Sequence, residues 1–164
     1  MHGTLPKTPR GSTAAERSFR QLIRSFGLVE RIMQPYFARF GISGAQWGVL
    51  RNLHRAEQEG LSGLRLTDLS QRMLIRPPSV TGIADRLERV GLIVRRASET
   101  DGRAKQVALT VKGRQLVVEV LTVHQGQIEQ VMGGLSADEQ EQLDRLLVQL
   151  SEHLAVLADR AASG

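Results

Sequence analysis

Arg76-Pro77-Pro78-Ser79-Val80-Thr81-Gly82-Ile83-Ala84-Asp85-Arg86-Leu87-Glu88-Arg89-Val90-Gly91-Leu92-Ile93-Val94-Arg95-Arg96 decides the fold, because its periodicity changes part-way along. Val80, Ile83, Ala84, Leu87 and Val90 recur at the spacing of one buried helix face. Pro77 and Pro78 suit a first helical turn, where the missing N–H would have no partner in any case. Gly91 stands where helices commonly stop. From Leu92 the period shortens towards two, and Lys105-Gln106-Val107-Ala108-Leu109 repeats that pattern, so the two runs read as a β-hairpin. Its polar loop, Ala97 to Ala104 with Asp101-Gly102 at the turn, is expected to project into solvent. Upstream, Leu64-Arg65-Leu66 reads as extended chain, and Thr67 as the N-cap of a short helix from Asp68 to Met73. Two short helices joined by a tight turn and followed at once by a hairpin give the order of a winged helix-turn-helix.

Longer helices flank this centre. From Ala14 to Phe40, apolar residues from Phe19 to Phe40 keep helical spacing, with Pro35 expected to kink or divide the helix. Gly41 ends it, and Ser43-Gly44-Ala45-Gln46 is a capping box opening a second helix, Gly44 to about Glu57, that buries Trp47, Leu50 and Leu53. Thr110 caps a fifth helix to Met132; Ser136-Ala137-Asp138-Glu139 opens a sixth, to about Leu157, with a wide leucine face. The fold class is mainly α with a small β-hairpin wing. It divides into a basic tail (1–12), supporting helices (13–60), a DNA-binding lobe (61–114) and C-terminal helices (115–164).

Composition narrows the function. The chain has 164 residues and no cysteine, which removes disulfides, thiolate metal sites and thiol redox chemistry. Its four histidines lie too far apart in sequence for a recognisable metal motif. No Gly-rich phosphate loop follows a strand and no nucleophile elbow occurs, so neither a catalytic site nor a cofactor is expected. No apolar run approaches the length of a membrane span and no signal-peptide pattern opens the chain, so a cytoplasmic location is expected. Charge is segregated: residues 60–115 hold 11 Lys/Arg against 5 Asp/Glu, whereas residues 116–164 hold 2 against 8. A basic middle and an acidic end suggest that one part meets a polyanion; an arginine-rich solvated surface is the plainer alternative.

An α-helix fits the major groove of B-DNA, and a basic hairpin can reach the neighbouring minor groove. The helix beginning at Pro77 is therefore the expected recognition helix, with Pro77, Pro78, Ser79, Thr81 and Gly82 towards base edges and Arg76 and Arg86 towards phosphates. Arg103 is the expected wing residue, with Arg95, Arg96 and Lys105 beside it. Two alternatives stay open: Arg86 pairing with Asp85 or Glu88, and Arg103 pairing within its own loop.

Gly63-Leu64-Arg65-Leu66-Thr67-Asp68-Leu69, Ser79-Val80-Thr81, Asp85 through Ile93, Asp101-Gly102-Arg103 and Leu109-Thr110-Val111-Lys112-Gly113-Arg114 together resemble the MarR (multiple antibiotic resistance regulator) family, over roughly residues 43–118. The resemblance implies a sequence-specific transcription regulator, a repressor by expectation. It implies recognition helices in successive major grooves of a pseudo-palindromic operator, and an Asp-x-Arg wing motif in which Asp101 orients Arg103. It also implies a homodimer, to which the wide apolar faces of the first and sixth helices point independently, packing on their own chain being the alternative. Many members bind small phenolic or carboxylate ligands, for which Tyr36, Trp47, His54 and His124 are the candidate lining residues here; plain core packing is the alternative for Trp47. The chain departs from the pattern at Gly82, where many members carry a polar or basic residue, and at Pro77 or Pro78, where many carry a residue other than proline. The competing function is a helical interaction or scaffold protein with a degenerate winged domain.

Overall fold

The computed structural model describes residues 13–97 and 105–162. Along the chain run α1 (Ala14–Ala38), α2 (Gly44–Gln58), α3 (Leu66–Met73), α4 (Pro77–Arg89), β1 (Ile93–Ala97), β2 (Lys105–Leu109), α5 (Val111–Met132) and α6 (Ala137–Ala162). The expected basic tail and the tip of the wing, including Asp101 and Arg103, lie outside the described residues. Two compact units are distinguished, one ending at Val120 and the other beginning at Leu121.

In the first unit α2 is the central element, packing against α1, α3, α4 and β2. Val49, Leu50 and Leu53 of α2 are fully buried, as are Leu69 of α3, Val80 and Leu87 of α4, Ile93 of β1 and Val107 of β2. Removing this much apolar surface from water supplies the main driving force for the fold. The strands pair antiparallel with Ile93 opposite Leu109 and Ala97 opposite Lys105. Leu64 adds a third rung, exchanging both backbone hydrogen bonds with Val107 at 3.0 and 2.8 Å. That pairing requires Gly63, because a Cβ there would stand 2.6 Å from the Val107 carbonyl oxygen. Gly113 is confined more tightly still: its Cβ would lie 2.0 Å from the Leu92 carbonyl oxygen.

Helix ends follow the capping chemistry of the sequence, with two corrections. The Ser43 box forms, Ser43 N–H donating to Gln46 and Gln46 N–H to the Ser43 hydroxyl. Gly91 takes φ +74° beyond α4. Thr110 accepts from the Gly113 N–H at 3.0 Å while donating to the Gly91 carbonyl at 2.7 Å, so it joins the start of α5 to the end of α4. Helix α3, however, starts at Leu66, with Arg65 and not Thr67 at the N-cap, and the Asp68 carboxylate receives the Arg65 N–H. The side chain that closes the turn is three residues inside it, and Thr67 becomes an exposed first-turn residue. Pro35 does not divide α1, which continues to Ala38. Val90, expected on the buried face of α4, is 51% exposed: it is the C-cap residue, and the chain there has left the helical path.

The second unit consists of the last part of α5 and α6. None of its described residues is buried. Ser136 caps α6 reciprocally with Glu139, whose carboxyl is held below the usual carboxylate range by the Ser136 backbone N–H and hydroxyl. The helix runs to Ala162, beyond the Leu157 suggested by the leucine pattern.

Candidate nucleic-acid interface

Helix α4 buries Val80, Ile83, Ala84 and Leu87 and turns its opposite face outward. Arg76, Pro77, Pro78, Ser79 and Thr81 are exposed at its start, with Gly82 half-exposed and Arg86 exposed one turn further on. Arg76 and Arg86 form no ion pair among the described residues. The carboxylates that could have paired with Arg86 from within the helix, Asp85 and Glu88, are engaged by Arg95 instead.

The tip of α4 is poor in backbone donors. Prolines occupy its first two positions, and the N–H of Ser79 donates to the Arg76 carbonyl at 3.0 Å. A helix N-terminus ordinarily offers unpaired N–H groups to phosphate; this one offers two pyrrolidine rings and the hydroxyl of Ser79. The Thr81 hydroxyl donates to the Pro77 carbonyl at 3.1 Å, which leaves its oxygen outward as an acceptor.

On the wing, Lys105 is exposed at the start of β2. Arg96 directs its guanidinium to the Ser62 carbonyl, and Gln106 donates to the Ser62 hydroxyl at 3.1 Å, so both pin the segment before α3. Arg95 turns back onto α4. Its backbone N–H and one guanidinium nitrogen donate to Glu88, and the other terminal nitrogen donates to Asp85. Its pKa is raised further above the usual arginine value, chiefly by the Asp85 hydrogen bond, with burial opposing and Glu88 adding. Sequence reasoning missed Arg65 and Thr67. Both line a groove of about 400 Å3 with Arg95, Lys105 and Gln106, between the start of α3 and the wing. Their exposed positions in the first turn of α3 would have shown it, had Thr67 not been assigned to the cap.

Of the expected ligand residues, Tyr36 and Trp47 are buried. Both rings pack on Phe37, with centroids 5.0 and 5.9 Å away, and the Tyr36 hydroxyl donates to the Val120 carbonyl. His54 is half-buried on α2, its Nδ1 3.5 Å from Arg51. His124 lies in the second unit. A groove of about 660 Å3 along α1 and the start of α2 is lined by Val29, Glu30, Met33, Gln34 and Phe37 among others, and by none of these four residues.

The MarR family model matches residues 40–104, which take in α2, the helix-turn-helix and β1, and end just before β2. The HTH-type transcriptional repressor YetL of Bacillus subtilis (strain 168) is 30% identical over 131 residues, 80% of this chain and 77% of YetL. The chain belongs to the MarR family. It is accordingly a DNA-binding transcription regulator, and the winged fold agrees with solved MarR structures. A mutant MarR from E. coli complexed with operator DNA superposes with a TM-score of 0.73 at 22% identity, covering 85% of this chain and 99% of that one. BpsR of Bordetella bronchiseptica, whose DNA binding is regulated by 6-hydroxynicotinic acid, gives a TM-score of 0.73 at 26% identity, over 83% and 99% of the two chains.

Proposed function

We propose that this MarR-family chain is a transcriptional repressor that binds a pseudo-palindromic operator as a homodimer and leaves it when a small aromatic or carboxylate ligand binds. The observation that carries the DNA reading is the outer face of α4, where Arg76, Ser79 and Arg86 stand exposed beside half-exposed Gly82 on a helix whose other face is locked into the core. In this reading the lobe 61–114 holds the DNA. Arg76 and Arg86 take phosphates, and Ser79 and the Thr81 oxygen meet base edges. Pro77, Pro78 and Gly82 form an apolar, low-relief surface suited to thymine methyl groups. Lys105 and the wing tip bearing Asp101 and Arg103 serve the minor groove, Arg103 entering it and Asp101 orienting it.

Dimerisation is supported by α6, whose Leu146, Leu147, Leu150, Leu154 and Leu157 are all 38–56% exposed in the single chain, and by Phe19, Ile23 and Phe26 of α1. A second copy is the partner that covers such stripes at no cost in solubility. Repression is supported by the likeness to YetL and ligand release by the likeness to BpsR. His54 is the proposed polar contact for that ligand, with Tyr36 and Trp47 shaping its surroundings from the core. The ligand acts only if it binds two spacings of the recognition helices with different affinity. Among the described residues no helix is long and apolar enough to cross a membrane, and we place the regulator in the cytoplasm with its DNA.

The test is a fluorescence-anisotropy titration against the gene's own upstream duplex and a scrambled duplex at two salt concentrations, with mass in solution measured in parallel. The expected result is a dimer that prefers the upstream duplex and weakens steeply with salt, as released counterions require. A monomer, or binding that ignores salt and sequence, overturns it.

A further inference from the structure

Arg95 is basic and sits on the wing, so its residue type alone marks it as a phosphate ligand. Its surroundings argue otherwise. Asp85 and Glu88 lie three residues apart on α4 and therefore on one face of it. Arg95 spans the gap from β1, giving both carboxylates a guanidinium nitrogen and giving Glu88 its backbone N–H as well, at 3.2 Å. The Arg95 side chain keeps only 27% of its exposure. One cation set against two anions leaves the trio with a net charge of −1, which repels phosphate where a DNA ligand would have to attract it.

We infer that Arg95 is a positioning residue: held by Asp85 and Glu88, it fixes the wing against the recognition helix, so that both elements meet their grooves in register. The inference rests on the DNA-binding reading above. The geometry explains why the recognition helix of a DNA-binding protein carries two carboxylates at all, since they anchor the wing and take no part in reading DNA. Val90-Gly91-Leu92 is a short tether with a left-handed glycine in it, and by itself it leaves the pitch of the hairpin to be set. Leu64 holds the β2 side of the hairpin through Val107, and Arg95 holds the β1 side. Arg95 lies directly opposite Val107 in the register, so the two fastenings act on one rung, midway along the paired strands.

The experiment compares wild type, Arg95→Met, Asp85→Asn/Glu88→Gln and the combined triple variant. Each is titrated on the upstream and scrambled duplexes over a salt series, well below its melting temperature. The expected result is that the ratio of specific to scrambled affinity falls roughly tenfold in Arg95→Met and equally in the double variant, with no further loss in the triple variant. The slope of log affinity against log salt in Arg95→Met stays at the wild-type value, and Arg95→Lys recovers part of the ratio. The opposite result is a slope shallower by about 0.9 for each lost phosphate contact, an unchanged ratio, and tighter binding by Asp85→Asn/Glu88→Gln; it makes Arg95 a DNA ligand and overturns the inference. A wild type with no preference for the upstream duplex overturns the DNA reading itself. If Arg95→Met does not fold, the double variant alone decides, through its ratio.

Discussion

Helices α4 and α6 are both amphipathic, and the chain treats them in opposite ways. Val80, Ala84 and Leu87 of α4 are wholly buried within their own unit, whereas the leucines of α6 stay largely open to water. Helix α4 is held in place by its own chain: the carbonyls of Val90 and Gly91, immediately after it, receive Lys112 and Thr110, and its flank receives Arg95. The apolar face of α6 stays open to water in the single chain. One helix has an orientation its own unit fixes, and in the proposed dimer the other has a stability that depends on concentration.

Six variants test that contrast. The largest effect is expected from Leu150→Glu/Leu154→Glu on α6, which puts charges into the proposed dimer seam. Sedimentation equilibrium should show a monomer, and operator affinity should fall about a thousandfold as the two half-sites lose their linkage. A dimer that survives would mean that the seam lies elsewhere. Next is Leu87→Ala, which hollows the core beneath α4 and should cost about 3 kcal/mol in chemical denaturation. That cost should not change with protein concentration, whereas Leu154→Ala should lower a melting temperature that does vary with concentration. Gly113→Ala should cost about 2 kcal/mol, since the new methyl must force Leu92 and the start of α5 apart. Calorimetry showing a neutral or stabilising effect would mean that the approach is looser than 2.0 Å. Smallest are Ser43→Ala and Ser136→Ala, which remove equivalent caps from α2 and α6 and should each cost about 1 kcal/mol. Unequal losses in urea titrations would show that more than packing separates the two regions.

The features legible in the sequence were those that neighbouring residues settle among themselves. Ser43 with Gln46, Ser136 with Glu139 and Gly91 after α4 each close a helix end using groups three or four positions apart, so spacing alone reveals them. The change of period at Leu92 likewise revealed the hairpin. The choice of ion partner was not legible. Asp85, Arg86 and Glu88 adjoin in sequence, yet the carboxylates take Arg95 from another element, because the strand brings its guanidinium across the outer flank of α4. Nor did the sequence reveal that Arg96 would pin Ser62, since 34 residues separate them. Leu74 is a third case: it takes φ 54° in the turn of the helix-turn-helix with its side chain 93% exposed, a geometry usually left to glycine or asparagine. Nothing in its residue type announces that; the turn closes because its N–H reaches the Gln71 carbonyl and that of Ile75 reaches Ser70.

The grip of Thr110 and Lys112 on the end of α4 bears on how the molecule breathes. A helix terminus ordinarily frays by itself, and its amides exchange with deuterium long before the core opens. Here the carbonyls of Val90, Gly91 and Leu92, just beyond α4, accept from Lys112 and Thr110 at the start of α5, and Thr110 N–H returns to Leu92 at 3.1 Å. Neither end can loosen without the other, so Gly91, Leu92, Thr110 and Arg114 should exchange as one slow cooperative group. The reading surface thereby loses its loose end, and α4 presents DNA with a rod whose far terminus does not open alone.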